Sequence, residues 1–104
     1  MVIYNFSHPL LDEVVKKVEK KVGEKVSCVN IKVQVDDDHS ITSQMVDIMD
    51  GINFDGNPII VNLPGLSVAA AEVVRYLDER GIPYQILRLR RVGTPPKFIF
   101  SELF

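Results

Sequence analysis

Asn5-Phe6-Ser7-His8-Pro9 sets an amide, a hydroxyl and an imidazole where a short apolar run meets a helical pattern. The amide and hydroxyl can donate and accept hydrogen bonds, and the imidazole can move a proton near neutral pH. A helix start adds unpaired backbone N–H groups and the positive end of the helix dipole. Together these groups suit an anion, most often a phosphate. Asn62-Leu63-Pro64-Gly65-Leu66-Ser67 repeats the arrangement: a polar residue closing a strand, a tight turn, then a helix start. Gly65 lets a ligand approach the backbone closely. A third group, Arg88, Arg90 and Arg91, brings guanidinium forks, which bind phosphate through paired hydrogen bonds. On a strand, Arg88 and Arg90 share a face and Arg91 takes the other.

The candidate ligand-binding residues are therefore Asn5, Phe6, Ser7, His8, Asn62, Pro64, Gly65, Ser67, Arg88 and Arg90. His8 and Ser7 are the candidates for catalysis. Each feature also has a plainer reading. Ser, Asn and His cap helices without any ligand. Strand-to-helix loops favour Asn, Gly, Pro and Ser, and arginines discourage aggregation at sheet edges.

The elements that must position these residues follow from hydropathy periods. Met1 to Phe6 reads as a strand. Leu10, Leu11, Val14, Val15, Val18 and Val22 recur at helical spacing, opposite Lys16, Lys17, Glu19 and Lys20. That helix starts near Pro9, with Ser7 or His8 as its cap, and stops at Gly23. Val26 to Val35 alternates apolar and polar residues, as a strand near an edge does, with Cys28 as a small packing residue. Asp36 to Ser40 is a polar turn, and Ile41, Met45, Ile48, Met49 and Ile52 mark a second helix ending near Gly51. After the Asn53 to Asn57 loop, Pro58 to Asn62 is a continuous apolar run, the mark of a strand buried on both faces. Ser67 can cap a third helix, rich in Ala and Val, that stops at Gly81. Tyr84 to Leu89 is a fourth strand, and Lys97 to Phe100 can be a short fifth. The order predicts an α/β, Rossmann-like single domain over residues 1–104, with a mostly parallel sheet of about 4–5 strands flanked by helices. In such sheets ligands bind outside the carboxyl ends of the strands.

Composition narrows the function classes. Of the 104 residues, 46% are hydrophobic and 25% charged, as in an ordinary globular domain. No apolar stretch is long enough to span a bilayer, so no membrane partner is expected. The net charge of −2 argues against duplex nucleic acid as a partner, while the basic cluster from Arg88 to Lys97 can hold a compact polyanion. The lone Cys28 and the lack of a signal-peptide pattern lead to a cytoplasmic expectation. No phosphate-binding glycine fingerprint for triphosphates or dinucleotides occurs, so no cofactor is expected. Asp36, Asp37, Asp38 and His39 read as a solvated turn and helix cap, so no metal is expected either. With only His8 and His39, no Ser-His-Asp set is indicated.

Asn5-Phe6-Ser7-His8-Pro9-Leu10, Val61-Asn62-Leu63-Pro64-Gly65, Ala69-Ala70-Ala71, and Ile86-Leu87-Arg88-Leu89-Arg90 followed by Thr94-Pro95-Pro96-Lys97-Phe98 carry a resemblance. In that order they resemble a small accessory family of type III CRISPR systems, the one numbered fifteen in the Csx series. The resemblance runs from Val2 to about Leu103 and is thinnest from Gly23 to Asn57. It implies a Rossmann-like domain related to CARF sensors, and a homodimer that binds cyclic oligoadenylate across its two-fold axis. The implied ligand is cyclic tetra-adenylate, a messenger of antiviral defence. The implied role is to lower its free concentration, as a sponge that sequesters it or as a metal-independent ring nuclease that cleaves it. A small α/β interaction protein with no nucleotide ligand is the third reading. The motifs themselves do not count adenylates, separate binding from cleavage, or choose the dimer surface.

Overall fold

Ile59, Ile60 and Val61 have no polar face to offer water, and only the middle of a covered sheet accepts such a run. The computed structural model, which describes residues 1–104, puts it there. Five strands form one sheet: β1 (Val2–Asn5), β2 (Ser27–Asn30), β3 (Ile59–Asn62), β4 (Tyr84–Val92) and β5 (Lys97–Leu103). Their spatial order is β2-β1-β3-β4-β5. The first four are parallel and β5 returns antiparallel to β4, with one extra residue near Ser101. All four residues of β3 are buried.

Three helices cover the two faces: α1 (Asp12–Val22), α2 (Ile41–Asp50) and α3 (Ser67–Glu79). Val14 and Val18 of α1 pack on Ile3, Ile60 and Leu87 on one face. Met45 and Met49 of α2, with Val73 and Leu77 of α3, pack on Phe6, Ile59 and Val61 on the other. Each fully buried aliphatic side chain contributes on the order of 1.5–3 kcal/mol. The domain is thus Rossmann-like, with helices on both sides of a mostly parallel sheet.

The glycine stops hold. Gly23 takes φ 77° and donates to Glu19 O at 2.8 Å. Gly81, at φ 63°, sits just past α3, where Ile82 N–H donates to Leu77 O at 3.0 Å. Ser40 caps α2, its side chain accepting from Ser43 N–H.

Other expectations change. α1 starts at Asp12, three residues beyond Pro9, and its cap is Leu11 rather than Ser7 or His8. The side chain of Asn5 holds residues 5–8 in a turn and keeps them out of the helix. Ser67 is the first residue of α3, not its cap; Leu66 holds that position. β2 is an edge strand as expected but only four residues long, because past Ile31, whose N–H still donates to Asn5 O at 2.8 Å, the chain leaves β1 and pairs with no strand. The alternation survives there as burial alone, with Ile31, Val33 and Val35 packed against the α2 and α3 side. Cys28 is exposed at this edge rather than packed. β4 and β5 extend further than expected, as a hairpin whose Phe100 and Leu103 pack against the α1 side. Phe98 and Phe104 stay exposed.

Candidate functional site

β1 and β3 lie side by side, but the chain leaves them in opposite directions. The loop after β1 leads to α1 on one face, and the loop after β3 leads to α3 on the other. The two loops must part, and the crevice between them at the carboxyl ends is where doubly wound sheets bind ligands. Asn5 and Asn62 are register partners at this point, and Asn30 pairs with Asn5 from the other side. Three asparagines therefore end three adjacent strands.

Their side chains form a chain of hydrogen bonds. Asn5 is fully buried. Its Nδ2 donates to Asn30 Oδ1 and to His8 O, both at 2.9 Å. Its Oδ1 accepts from Ser7 N–H at 3.1 Å and from Asn62 Nδ2 at 2.9 Å. Both donors and both lone pairs are used, so Asn5 has nothing left for a ligand. The expectation that Asn5 binds ligand directly gives way to a different job: it holds the Ser7–His8 turn and aligns the other two amides. Asn30, which the sequence pattern did not single out, is its partner. Its only sequence signal was its place as a polar member of the Val26 to Val35 alternation.

Ser7 and His8 are exposed, and their side chains make no hydrogen bond within the protein. They form a ridge between two clefts. The larger, about 430 Å³, joins Ser7, His8 and Asn62 to Leu10, Leu89, Lys97 and Phe98. The smaller, about 370 Å³, joins Ser7 and His8 to Lys32, Pro64 and Gly65. Phe6 edges the smaller cleft but is otherwise core, 3% exposed. A Cβ built on Gly65 meets nothing within 4 Å, so its hydrogen leaves the groove open without being required by packing.

The electrostatics differ between the two helix starts. The first turn of α1 carries Asp12 and Glu13, which already complement its dipole. The first turn of α3 has no acidic residue, so its amino end is the more receptive to an anion. Ser67 lies there, outside both clefts.

The arginines are not part of this crevice. Along β4, Ile86 packs on the α2 and α3 side and Leu87 and Leu89 on the α1 side. Strand alternation puts Arg88 and Arg90 opposite Leu89, away from the larger cleft that Leu89 lines. Arg88 is moreover paired with Glu102 at 2.9 Å. The cations at the clefts are Lys97 and Lys32 instead. Lys97 Nζ lies 3.2 Å from Glu13 Oε1, with both side chains about half exposed. Such a pair is worth roughly 0–1 kcal/mol, so it restrains Lys97 little. Lys97 belonged to the basic cluster read from the sequence, but its place beside Ser7 depends on the hairpin folding back.

Fold and site together define a small doubly wound α/β domain with a polar crevice at its switch point. In comparisons with family models, curated proteins and solved structures, the chain matches none.

Proposed function

We propose that this chain binds cyclic tetra-adenylate in the clefts beside Ser7 and His8 and sequesters it, restraining type III CRISPR effectors as a sponge. The observation that carries the reading is the convergence at the switch point: Ser7, His8, Asn62 and Lys97 around one cleft, Lys32, Pro64 and Gly65 around the next. A hydroxyl, an imidazole, an amide and two ammonium groups around two adjoining clefts match a ligand of alternating phosphates and bases. A homodimer would double this set about a two-fold axis, matching a ring with repeated units. Exposed Leu66 and Val68 at the start of α3, and Phe98 and Phe104 in and just past β5, are apolar surfaces available to it.

Binding is favoured over cutting because neither Ser7 nor His8 has an orienting partner. Nucleophile–base chemistry normally needs one group held against the other and a third to aim the base. Ring cleavage is the second reading, because a hydroxyl and an imidazole, Ser7 and His8, line both clefts. In that reaction a ribose 2′-hydroxyl attacks its neighbouring phosphate, the P–O bond to the next ribose 5′-oxygen breaks, and a cyclic phosphate end results. The 2′-hydroxyl gives up its proton to solvent as it attacks, and the leaving 5′-oxygen takes up one, which His8 could supply.

One experiment separates the readings. Protein and radiolabelled cyclic tetra-adenylate are mixed, deproteinised and chromatographed, beside a calorimetric titration. Tight binding with intact ring recovered supports the sponge. Mostly linear product, slowed by His8→Ala or Ser7→Ala, supports the nuclease. A flat titration for rings of several sizes leaves an α/β interaction protein without a nucleotide ligand.

A further inference from the structure

An amide that can rotate is a poor reader of a base edge. A half-turn exchanges its oxygen with its NH₂, so it meets a donor or an acceptor equally well. Asn62 is not free to turn. Its Nδ2 donates to Asn5 Oδ1, and that oxygen also accepts from Ser7 N–H, a group that can only donate. Asn5 Nδ2 in turn donates to the His8 carbonyl, a group that can only accept. Two backbone groups therefore fix the sense of the Asn5 amide, and Asn5 fixes the sense of Asn62. Turning Asn62 would set two carbonyl oxygens against each other at a residue only 8% exposed, where an unmatched acceptor is costly.

The fixed sense leaves Asn62 Oδ1 without a partner in the protein. No buried side-chain polar atom lacks a partner, so this oxygen is reached by solvent, at a residue lining the larger cleft. Asn62 thus offers, at the lining of the cleft, an acceptor that cannot turn into a donor.

We infer that Asn62, locked by Asn5, selects a base bearing an exocyclic amine, adenine, over one bearing a carbonyl in that place. The inference rests on the nucleotide reading above and adds to it a specificity-determining residue and a positioning residue. Adenine presents its N6 amine to the fixed oxygen. Hypoxanthine and guanine put O6 there, and two acceptors face each other. Asn5 touches no ligand in this account; it acts through Asn62.

The test is a pair of calorimetric titrations, with cyclic tetra-adenylate and with its inosine counterpart. The parent protein is expected to prefer the adenine ring by roughly tenfold or more, the scale of one mismatched base contact. Asn62→Ser replaces the locked amide with a hydroxyl that rotates to donate or accept, and the preference should fall toward unity. Asn5→Ala frees Asn62 to turn and should lower the preference in the same way, with a circular dichroism melt confirming that it is folded. If Asn5→Ala does not fold, Asn62→Ser decides alone. Equal binding of both rings by the parent, or a preference that survives Asn62→Ser, overturns the inference and leaves the nucleotide reading intact. Binding of neither ring removes the nucleotide reading and this inference with it.

Discussion

Asn5→Ala is the most informative single change. The side chain is fully buried and makes four hydrogen bonds, three of 2.9 Å and one of 3.1 Å. Three of its partners, on Ser7, His8 and Asn30, belong to exposed residues and recover water. Asn62, 8% exposed, does not recover it fully. A hydrogen bond whose partner recovers water is worth about 0.5 kcal/mol net, and an unmatched buried group costs about 1–3 kcal/mol. Adding the small void left by the amide, the loss comes to about 3 kcal/mol. In a domain of this size that lowers the melting temperature by roughly 10–20 °C. The chain still folds, since domains of this kind have about 5–15 kcal/mol in hand. Urea titration followed by circular dichroism measures the change directly, with the slope expected to stay constant. Asn30→Ala is the control. It removes the bond from Asn5 and a weak 3.9 Å contact from Cys28 Sγ at an exposed residue, where water can take the oxygen's place, and should cost less than about 1 kcal/mol. If Asn5→Ala costs no more than Asn30→Ala, Asn5 does not organise the three strand ends.

Three further outcomes are expected. Gly65→Ala should leave stability within about 0.5 kcal/mol, because its Cβ meets nothing. The same methyl should weaken cyclic tetra-adenylate binding by obstructing the smaller cleft, and unchanged affinity in a titration would show that no ligand approaches there. Lys97→Met keeps the stem and removes the charge beside Ser7, so affinity should fall most at low salt and least at high salt; a loss independent of salt would assign Lys97 a packing role. Burial, and then the hydrogen bond of its hydroxyl to Asp50, push the Tyr76 phenol above its ordinary value. A raised folded value means this stability is fully present below about pH 10 and is lost as pH rises through the folded value. Tyr76→Phe should cost about 1 kcal/mol at pH 7 and flatten part of the alkaline loss seen in pH-dependent urea melts. Tyr84, raised by burial and by its bond to Asp78, accounts for part of the remainder.

Much of the fold follows from one-dimensional signals. The 3.6-residue spacing of Val14 and Val18, and of Met45 and Met49, marks helices because a helix buries one stripe wherever it sits. Ile59 to Val61 marks a central strand because only a sheet covered on both faces hides such a run. Gly23 and Gly81 mark helix ends because each adopts positive φ. These signals are local, and no distant contact is needed to read them. Two strand-end asparagines in a parallel sheet are likewise legible as opening on the same edge.

Tertiary structure decided what each of these residues does. Asn5 and Asn62 look alike in the sequence, yet one uses every hydrogen bond inside the protein and the other keeps an oxygen toward a cleft. The difference arises because β1 lies between β2 and β3, so Asn5 meets an amide on each side, while Asn62 has one on one side only. The return of the β4–β5 hairpin brought Lys97 to the cleft that Ser7 lines, while the alternation of β4 turned Arg88 and Arg90 away from it. Hydropathy and capping preferences report on neighbours along the chain. The partners that fix an amide's sense, or pair a cation, are chosen by strand order.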